Sequence, residues 1–420
     1  MDKIRINLFD LLMCLSNAGD LASPVLASHH QKVAYLSYRL AEHMKLPNSQ
    51  QREILLASLI HDIGALSMNE RLELVESEPA SMHKHSFRGA KLLNGFDPLK
   101  NTSKIIKFHH IPWNFGEGTY YKEEQVPLSS HIIHLADRVC IKLDSIDYNM
   151  TQLNDVLSII KKDADILYKP ELVDTLIDIS EKDYIWLDLL DRSPVNMLSD
   201  ILCSFDILVL EIDDIIDISR IFSHIIDFRS RYTACHSAGV AKTAEKLALL
   251  FNFSPIERKM ILIAGYLHDL GKLAIDDAIL EKPSKLSNEE FAKIRSHTYY
   301  TYQLLKSINR FETINKWASF HHEKINGKGY PFHICGDNLS LGSRIMAVAD
   351  IFTAITEDRP YRKGMNEKQA AQVLINMVND GSIDERIVGI LLNNFQQINK
   401  IRDEAQKAAR LKYENFLIEE

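Results

Sequence analysis

The residues able to do chemistry in this chain are histidines and aspartates, and they recur in register. Of its 17 histidines, His29, His61-Asp62 and the nearby Gly64 return as His236, His268-Asp269 and Gly271 with a constant offset of 207. His85, His109 and His110 return as His297, His321 and His322 after 212 residues, and Asp137 as Asp350 after 213. The surroundings repeat too: Leu135-Ala136-Asp137 mirrors Val348-Ala349-Asp350, each with a serine seven positions earlier (Ser130, Ser343). Two copies of one domain are the simplest reading, the second carrying about five extra residues between its His-Asp pair and its next histidine.

A lone histidine on an apolar face is usually a core residue with a satisfied ring. Five histidines and two aspartates at matched intervals, twice over, are not explained by packing, because each imidazole without a partner costs a few kcal/mol to bury. A shared metal supplies the partner. The donor set is nitrogen and carboxylate without thiolate, which suits Fe, Mn or Zn in an open site better than a closed structural zinc site. Seven donors exceed the needs of one ion. A carboxylate such as Asp269 can bridge two ions about 3.5–4 Å apart, and such a pair presents a hydroxide and clamps the attacking and leaving oxygens of a phosphoryl displacement. Phosphate-ester hydrolysis is the natural chemistry.

Helices must position these groups. Gly (16) and Pro (12) are sparse, apolar residues make up 46% and charged residues 25%, and strand-like alternation is nearly absent. Apolar spacing predicts helices over 29–45, 51–66, 86–94, 242–251, 256–270, 288–307, 343–357 and 366–380. Ser254 before Pro255, with Glu257 behind it, predicts a capped start for the helix that delivers His268-Asp269. The 420 residues divide into domains at 1–195 and 205–420, with Asp191-Arg192-Ser193-Pro194 as the break. From Ile207 to Phe228 an isoleucine-rich stripe predicts a linker helix that docks one domain on the other or forms a dimer interface.

Bulk charge excludes some partners. A net charge of −8 argues against coating a nucleic-acid polymer or an anionic membrane. The five cysteines are scattered without a CxxC pair, which predicts a reduced, cytoplasmic chain. Cys235 abuts His236 and reads as a small buried hydrophobe. No export signal and no membrane span are expected.

His268-Asp269-Leu270-Gly271-Lys272, followed by His321-His322-Glu323-Lys324-Ile325-Asn326-Gly327-Lys328-Gly329-Tyr330-Pro331, resembles the HD-GYP family of cyclic-dinucleotide phosphodiesterases, a branch of the HD metal-dependent phosphohydrolases. The resemblance covers about residues 205–410. It implies an all-α fold of two tandem HD-type helical bundles. It also implies two divalent ions, iron or manganese ahead of zinc, with His236, His268, Asp269 and Asp350 on one and Asp269, His297, His321 and His322 on the other. Lys272 would touch the scissile phosphate or the leaving oxygen, making Lys272 and Asp269 the catalytic pair. Arg359 and Arg362 of Asp358-Arg359-Pro360-Tyr361-Arg362 would hold phosphates, and Tyr330 would meet a base.

Three positions depart from that pattern: Tyr232 stands where some relatives carry a third-metal glutamate, Asn326 where an aspartate is usual, and Thr301 where the first copy keeps the usual glycine as Gly89. The N-terminal copy retains His29, His61, Asp62, His85, His109, His110 and Asp137 as a second candidate metal site. It has Ala65 in place of the lysine, lacks Gly-Tyr-Pro in Trp113–Tyr120, and reads Arg138-Val139-Cys140-Ile141 after Asp137. A regulatory domain, metal-holding or merely structural, is the expectation there, with an independent phosphohydrolase as the alternative. Tandem HD plus HD-GYP chains also resemble bacterial phosphodiesterases of hybrid cyclic GMP-AMP. The expected activity is hydrolysis of a 3′,5′-cyclic dinucleotide to a linear product, with cyclic di-GMP first, hybrid cyclic GMP-AMP second, and mononucleotide hydrolysis or non-catalytic sensing as further readings. A homodimer and a diguanylate cyclase partner are compatible with that role.

Overall fold

The protein is seen in a computed structural model that describes residues 4–21, 28–76, 83–144, 153–190, 197–206, 208–229, 235–282, 284–358 and 362–418. The Asp191–Pro194 break, Tyr232 and Arg359 lie outside them. Helices dominate. The strands among the described residues are two short antiparallel pairs, Ile6–Asn7 with Val209–Leu210 and Tyr120–Tyr121 with Glu124–Gln125. No described helix is long and apolar enough to cross a membrane.

The chain separates into two compact units, Leu15–Leu208 and a second made of Val209–Glu420 together with Met1–Cys14. The N-terminal boundary thus differs from the expected 1–195. Ile6 pairs with Leu210, and Leu8, Leu11 and Leu12 are buried, so the first residues belong with the C-terminal half of the chain. Helix Leu8–Asp20 begins in one unit and ends in the other.

In the first unit, helix His29–His43 packs on Asn48–Leu59 and Leu128–Asp144, while His83–Leu93 packs on Lys100–Lys107. In the second, helix His236–Leu250 is central and packs on Pro255–Leu267, Leu341–Thr356 and Phe395–Leu417. The expected Ser254 cap is present as a reciprocal box: Ser254 Oγ accepts from Glu257 N, and Glu257 accepts from Ser254 N at 2.9 Å. The predicted linker helix forms as Ile212–Asp227. Ile215, Ile218, Phe222 and Ile225 are buried, and the helix packs on Pro255–Leu267 within its own unit. An amphipathic stripe tells that a face is covered, not which element covers it.

Candidate active site

In the C-terminal unit five of the seven ligand candidates come from a helix end or the turn after one, and two from helix interiors. His236 opens its helix, His268 caps the end of Pro255–Leu267, and Asp269 starts a short 3₁₀ turn, Leu270–Ala274. His297 and Asp350 lie inside Asn288–Lys306 and Leu341–Thr356, while His321 and His322 follow Glu312–Ser319. His236 Nε2 lies 3.0 Å from Asp350 Oδ1, His268 Nε2 3.1 Å from Asp269 Oδ2, and His297 Nε2 3.4 Å from Asp269 Oδ1. His322 Nδ1 stands 3.9 Å from Asp350 Oδ2. The seven residues named from the sequence are thus brought together.

The orientation of the rings fits a metal. Nδ1 of His268, His297 and His321 faces the carbonyl of Gly265, Ile294 and Ala318 at 2.8, 2.6 and 2.6 Å. A carbonyl only accepts, so Nδ1 carries the proton and the Nε2 lone pair is left for the centre. His297 Nε2 and His321 Nε2 then face each other at 3.4 Å, two lone pairs with no proton between them. Burial pushes the pKa of His297 down to about 3 and that of His321 well below the usual range, so a proton does not fill the gap. A divalent cation would fit there. The N-terminal unit repeats the arrangement: His61 and His109 donate to Ser58 O and Ile106 O at 2.8 and 2.7 Å, and His85 Nε2 faces His109 Nε2 at 3.4 Å. There His110, buried and held well below the usual imidazole range by burial, has neither ring nitrogen hydrogen-bonded. Candidate histidine–aspartate metal sites therefore stand in both units.

The two centres differ in the charged groups beside their aspartates. Lys272 donates to Asp269 Oδ2 at 2.6 Å, and its side chain is partly exposed (23%) where that of Asp269 is buried (4%). Burial opposes the carboxylate charge on Asp269, but His268 and Lys272 outweigh it and hold the pKa well below the usual range. Burial likewise opposes a proton on His236, but Glu357 and Asp350 raise its pKa well above normal; Glu357 Oε2 lies 3.0 Å from His236 Nδ1 and accepts from Gln406 at 2.9 Å. In the N-terminal unit Arg138 is folded onto its neighbour Asp137, donating at 3.0 and 2.6 Å to Oδ2, which leaves Oδ1 to face His29 at 3.1 Å.

Several residues around the site were not singled out in the sequence. Arg229, its side chain 4% exposed, donates to the carbonyls of Lys272 (2.6 Å) and Ile275 (2.8 Å) and pairs with Asp277, locking the segment that carries Lys272. Buried Glu323 accepts from Phe332 N at 2.7 Å and Ile334 N at 3.1 Å and so shapes the Gly-Tyr-Pro loop. Gly329 is required there, because a Cβ would stand 2.3 Å from Lys324 N. The Tyr330 ring centroid is 4.9 Å from that of His322, and the Arg295 guanidinium lies 4.6 Å from the Tyr330 centroid, adding a cation beside the loop. Asn326 is exposed and works as a turn residue, donating to Asp380 O and accepting from Lys328 N, both at 3.0 Å. Thr301 Oγ1 accepts from Gly271 N at 2.9 Å and donates to His268 O at 3.1 Å, so the glycine-to-threonine departure tightens the His-Asp turn. Arg362 is exposed and donates to Ala354 O at 2.7 Å, about one helical turn beyond Asp350. Cys235 is half-buried at the start of the His236 helix.

This fold and these paired clusters define an HD-type class, and comparison with known proteins agrees. HD-domain family models match residues 26–141 and 220–387. The chain belongs to the HD-domain proteins and carries two such domains in tandem. It is 28% identical over 402 residues, 94% of this chain and 93% of the relative, to 3′3′-cGAMP-specific phosphodiesterase 1 of Vibrio cholerae serotype O1. It is 40% identical to 3′3′-cGAMP-specific phosphodiesterase 3 of the same organism, across 36% of this chain and 33% of the relative. It is also 40% identical to the cyclic di-GMP phosphodiesterase PA4108 of Pseudomonas aeruginosa, across 33% of this chain and 34% of the relative. Its fold is similar to a crystal structure described as a cyclic GMP-AMP specific phosphodiesterase of V. cholerae, with TM-score 0.64 at 23% identity, covering 97% of this chain and 98% of that one.

Proposed function

We propose that the protein is a metal-dependent phosphodiesterase that opens a 3′,5′-cyclic dinucleotide to a linear dinucleotide, and that the C-terminal unit does the chemistry. The observation that carries this is Lys272: a partly exposed side chain whose ammonium lies 2.6 Å from Asp269, beside a cluster of five histidines and two carboxylates. Relatives named for cyclic-dinucleotide hydrolysis support it. Both 3′3′-cGAMP and cyclic di-GMP fall in this class. The relative aligned along nearly the whole chain is named for 3′3′-cGAMP, whereas PA4108, named for cyclic di-GMP, aligns over a third of it, which favours the hybrid dinucleotide as substrate.

His236, His268, Asp269 and Asp350 would hold one ion, and Asp269, His297, His321 and His322 a second, iron or manganese by the donor set. What bound divalent ions supply in such a site is a nucleophile at neutral pH and neutralisation of phosphate charge. The chain's own residues do the rest. Asp269 presents one oxygen to each half of the cluster. Lys272 meets the scissile phosphate and compensates the charge that grows on the leaving oxygen as the P–O bond breaks. Tyr330, with His322 tilted against its ring and the Arg295 guanidinium beside it, would meet a base, and Arg295 and Arg362 would hold phosphates, as would Arg359 by its place in the motif. The N-terminal unit keeps the ligands without the lysine and acts as a metal-holding regulatory domain. The test is an assay of anaerobically purified, metal-counted protein against 3′3′-cGAMP, cyclic di-GMP, cyclic di-AMP and a nucleoside monophosphate. Chelator-sensitive release of a linear dinucleotide is expected; turnover of the monophosphate alone would contradict the reading.

A further inference from the structure

The two centres differ at one pair of matched positions that the repeat makes comparable. With the offset of 207, Asp20 corresponds to Asp227 and His30 to Ser237. The aspartate does the same job in both units. In the C-terminal unit Asp227 Oδ1 accepts from Ser237 Oγ, and Oδ2 from Ser237 N, each at 3.0 Å. In the N-terminal unit Asp20 Oδ1 binds His30 Nδ1 at 2.6 Å, and both side chains are buried. Where one unit carries a short hydroxyl, the other carries an imidazole.

That imidazole stands beside the cluster. A ring nitrogen of His30, one of His61 and a carboxylate oxygen of Asp62 all lie within 4.8 Å of one another, and the His30 and His61 ring centroids are 5.1 Å apart. Asp20 occupies Nδ1, so the nitrogen left to ligate is Nε2. A carboxylate behind one ring nitrogen, with the other aimed at the donors, is the arrangement that orients metal-bound histidines and raises their basicity. His61 and His109 are oriented in the same sense by backbone carbonyls. Ala65, which matches Lys272, carries no ammonium that would compete for Asp62. Behind it Arg71 donates to Ala65 O at 2.8 Å and Gly19 O at 3.2 Å, holding the residue before Asp20 against the His-Asp turn.

We propose that His30, oriented by Asp20, is an additional metal ligand of the N-terminal unit, so that this centre has exchanged the substrate-facing ammonium of its sister for one more nitrogen donor to a divalent transition metal. The inference rests on the reading that the N-terminal cluster holds metal. It assigns that unit to metal retention rather than phosphate binding, a role set by its own residues.

The test uses the full-length protein loaded anaerobically with Mn²⁺ and dialysed against a graded chelator, with metal counted per chain. Wild type is compared with His61→Ala/Asp62→Ala, the difference between them giving the N-terminal metal. His30→Ser copies the residue that the matched position already carries; His30→Gln keeps bulk and a donor to Asp20 while removing the ring nitrogen. Thermal melts identify which variants fold, and either folded variant suffices. The expected result is loss of the N-terminal metal at a chelator concentration lower by about 10-fold or more, the scale on which metal-site support is lost. Retention of that metal at the wild-type chelator concentration overturns the proposal. Equal metal in wild type and the double variant would show that the N-terminal unit holds none, and the underlying reading would fall together with this inference.

Discussion

At the scale of single residues, Lys272 and Arg229 separate chemistry from support. Lys272→Met keeps the bulk of the stem and removes the cation; removing one such electrostatic group lowers kcat by about 10²–10³. Kinetics on metal-counted protein should show that fall with the metal content retained. Arg229 touches none of the ligand candidates, but it holds two carbonyls and a carboxylate behind Lys272. Arg229→Leu strands those acceptors, and breaking a buried pair by removing one partner costs about 3–5 kcal/mol; urea unfolding of the variant checks it. The ligand candidates were legible in the sequence because both copies repeat them at nearly constant spacing. Arg229 was not, since its targets lie 43 to 48 residues away and nothing local marks it. His30 lay between these cases: the doubled His29-His30 is visible in the sequence, but its meaning depends on Asp20, which only the fold sets beside it.

At the scale of elements, the sequence conveyed helices better than what covers them. The starts of Pro255–Leu267 and Asn288–Lys306 agree with expectation because a cap and a repeating apolar face are local signals, whereas the first ends three residues short of the expected 270, leaving Asp269 outside it. The packing of Ile212–Asp227 on Pro255–Leu267 was not legible, because that partner helix begins 28 residues further on. The Gly-Tyr-Pro loop shows the same limit: its motif was visible, whereas its anchoring by Glu323 and its seat on the turn at Asp380–Ser382 were not. Gly329→Ala tests that loop. A methyl group 2.3 Å from Lys324 N must push the strand of loop aside, moving Tyr330 and Arg295 relative to His322. Substrate affinity should fall with metal content unchanged, so KM measured on metal-replete protein rises about 10-fold or more, equivalent to about 1.4 kcal/mol. An unchanged KM would remove the loop from substrate binding.

At the scale of the whole molecule, the C-terminal unit draws on both ends of the chain. A fragment starting near residue 205 would lose the strand partner of Val209–Leu210 and the buried Leu8, Leu11 and Leu12. Each buried leucine contributes about 1.5–3 kcal/mol, so such a fragment should melt well below the full chain, and differential scanning calorimetry of the two would show it. The central claim is that one unit hydrolyses a cyclic dinucleotide while the other holds metal without turning substrate over. The most direct measurement is cyclic-dinucleotide hydrolysis by two full-length double variants side by side, with melts confirming that both are folded. The account predicts that His268→Ala/Asp269→Ala abolishes turnover and that His61→Ala/Asp62→Ala leaves it chemically competent. Turnover retained by the first and lost by the second would contradict it and place the chemistry in the N-terminal unit.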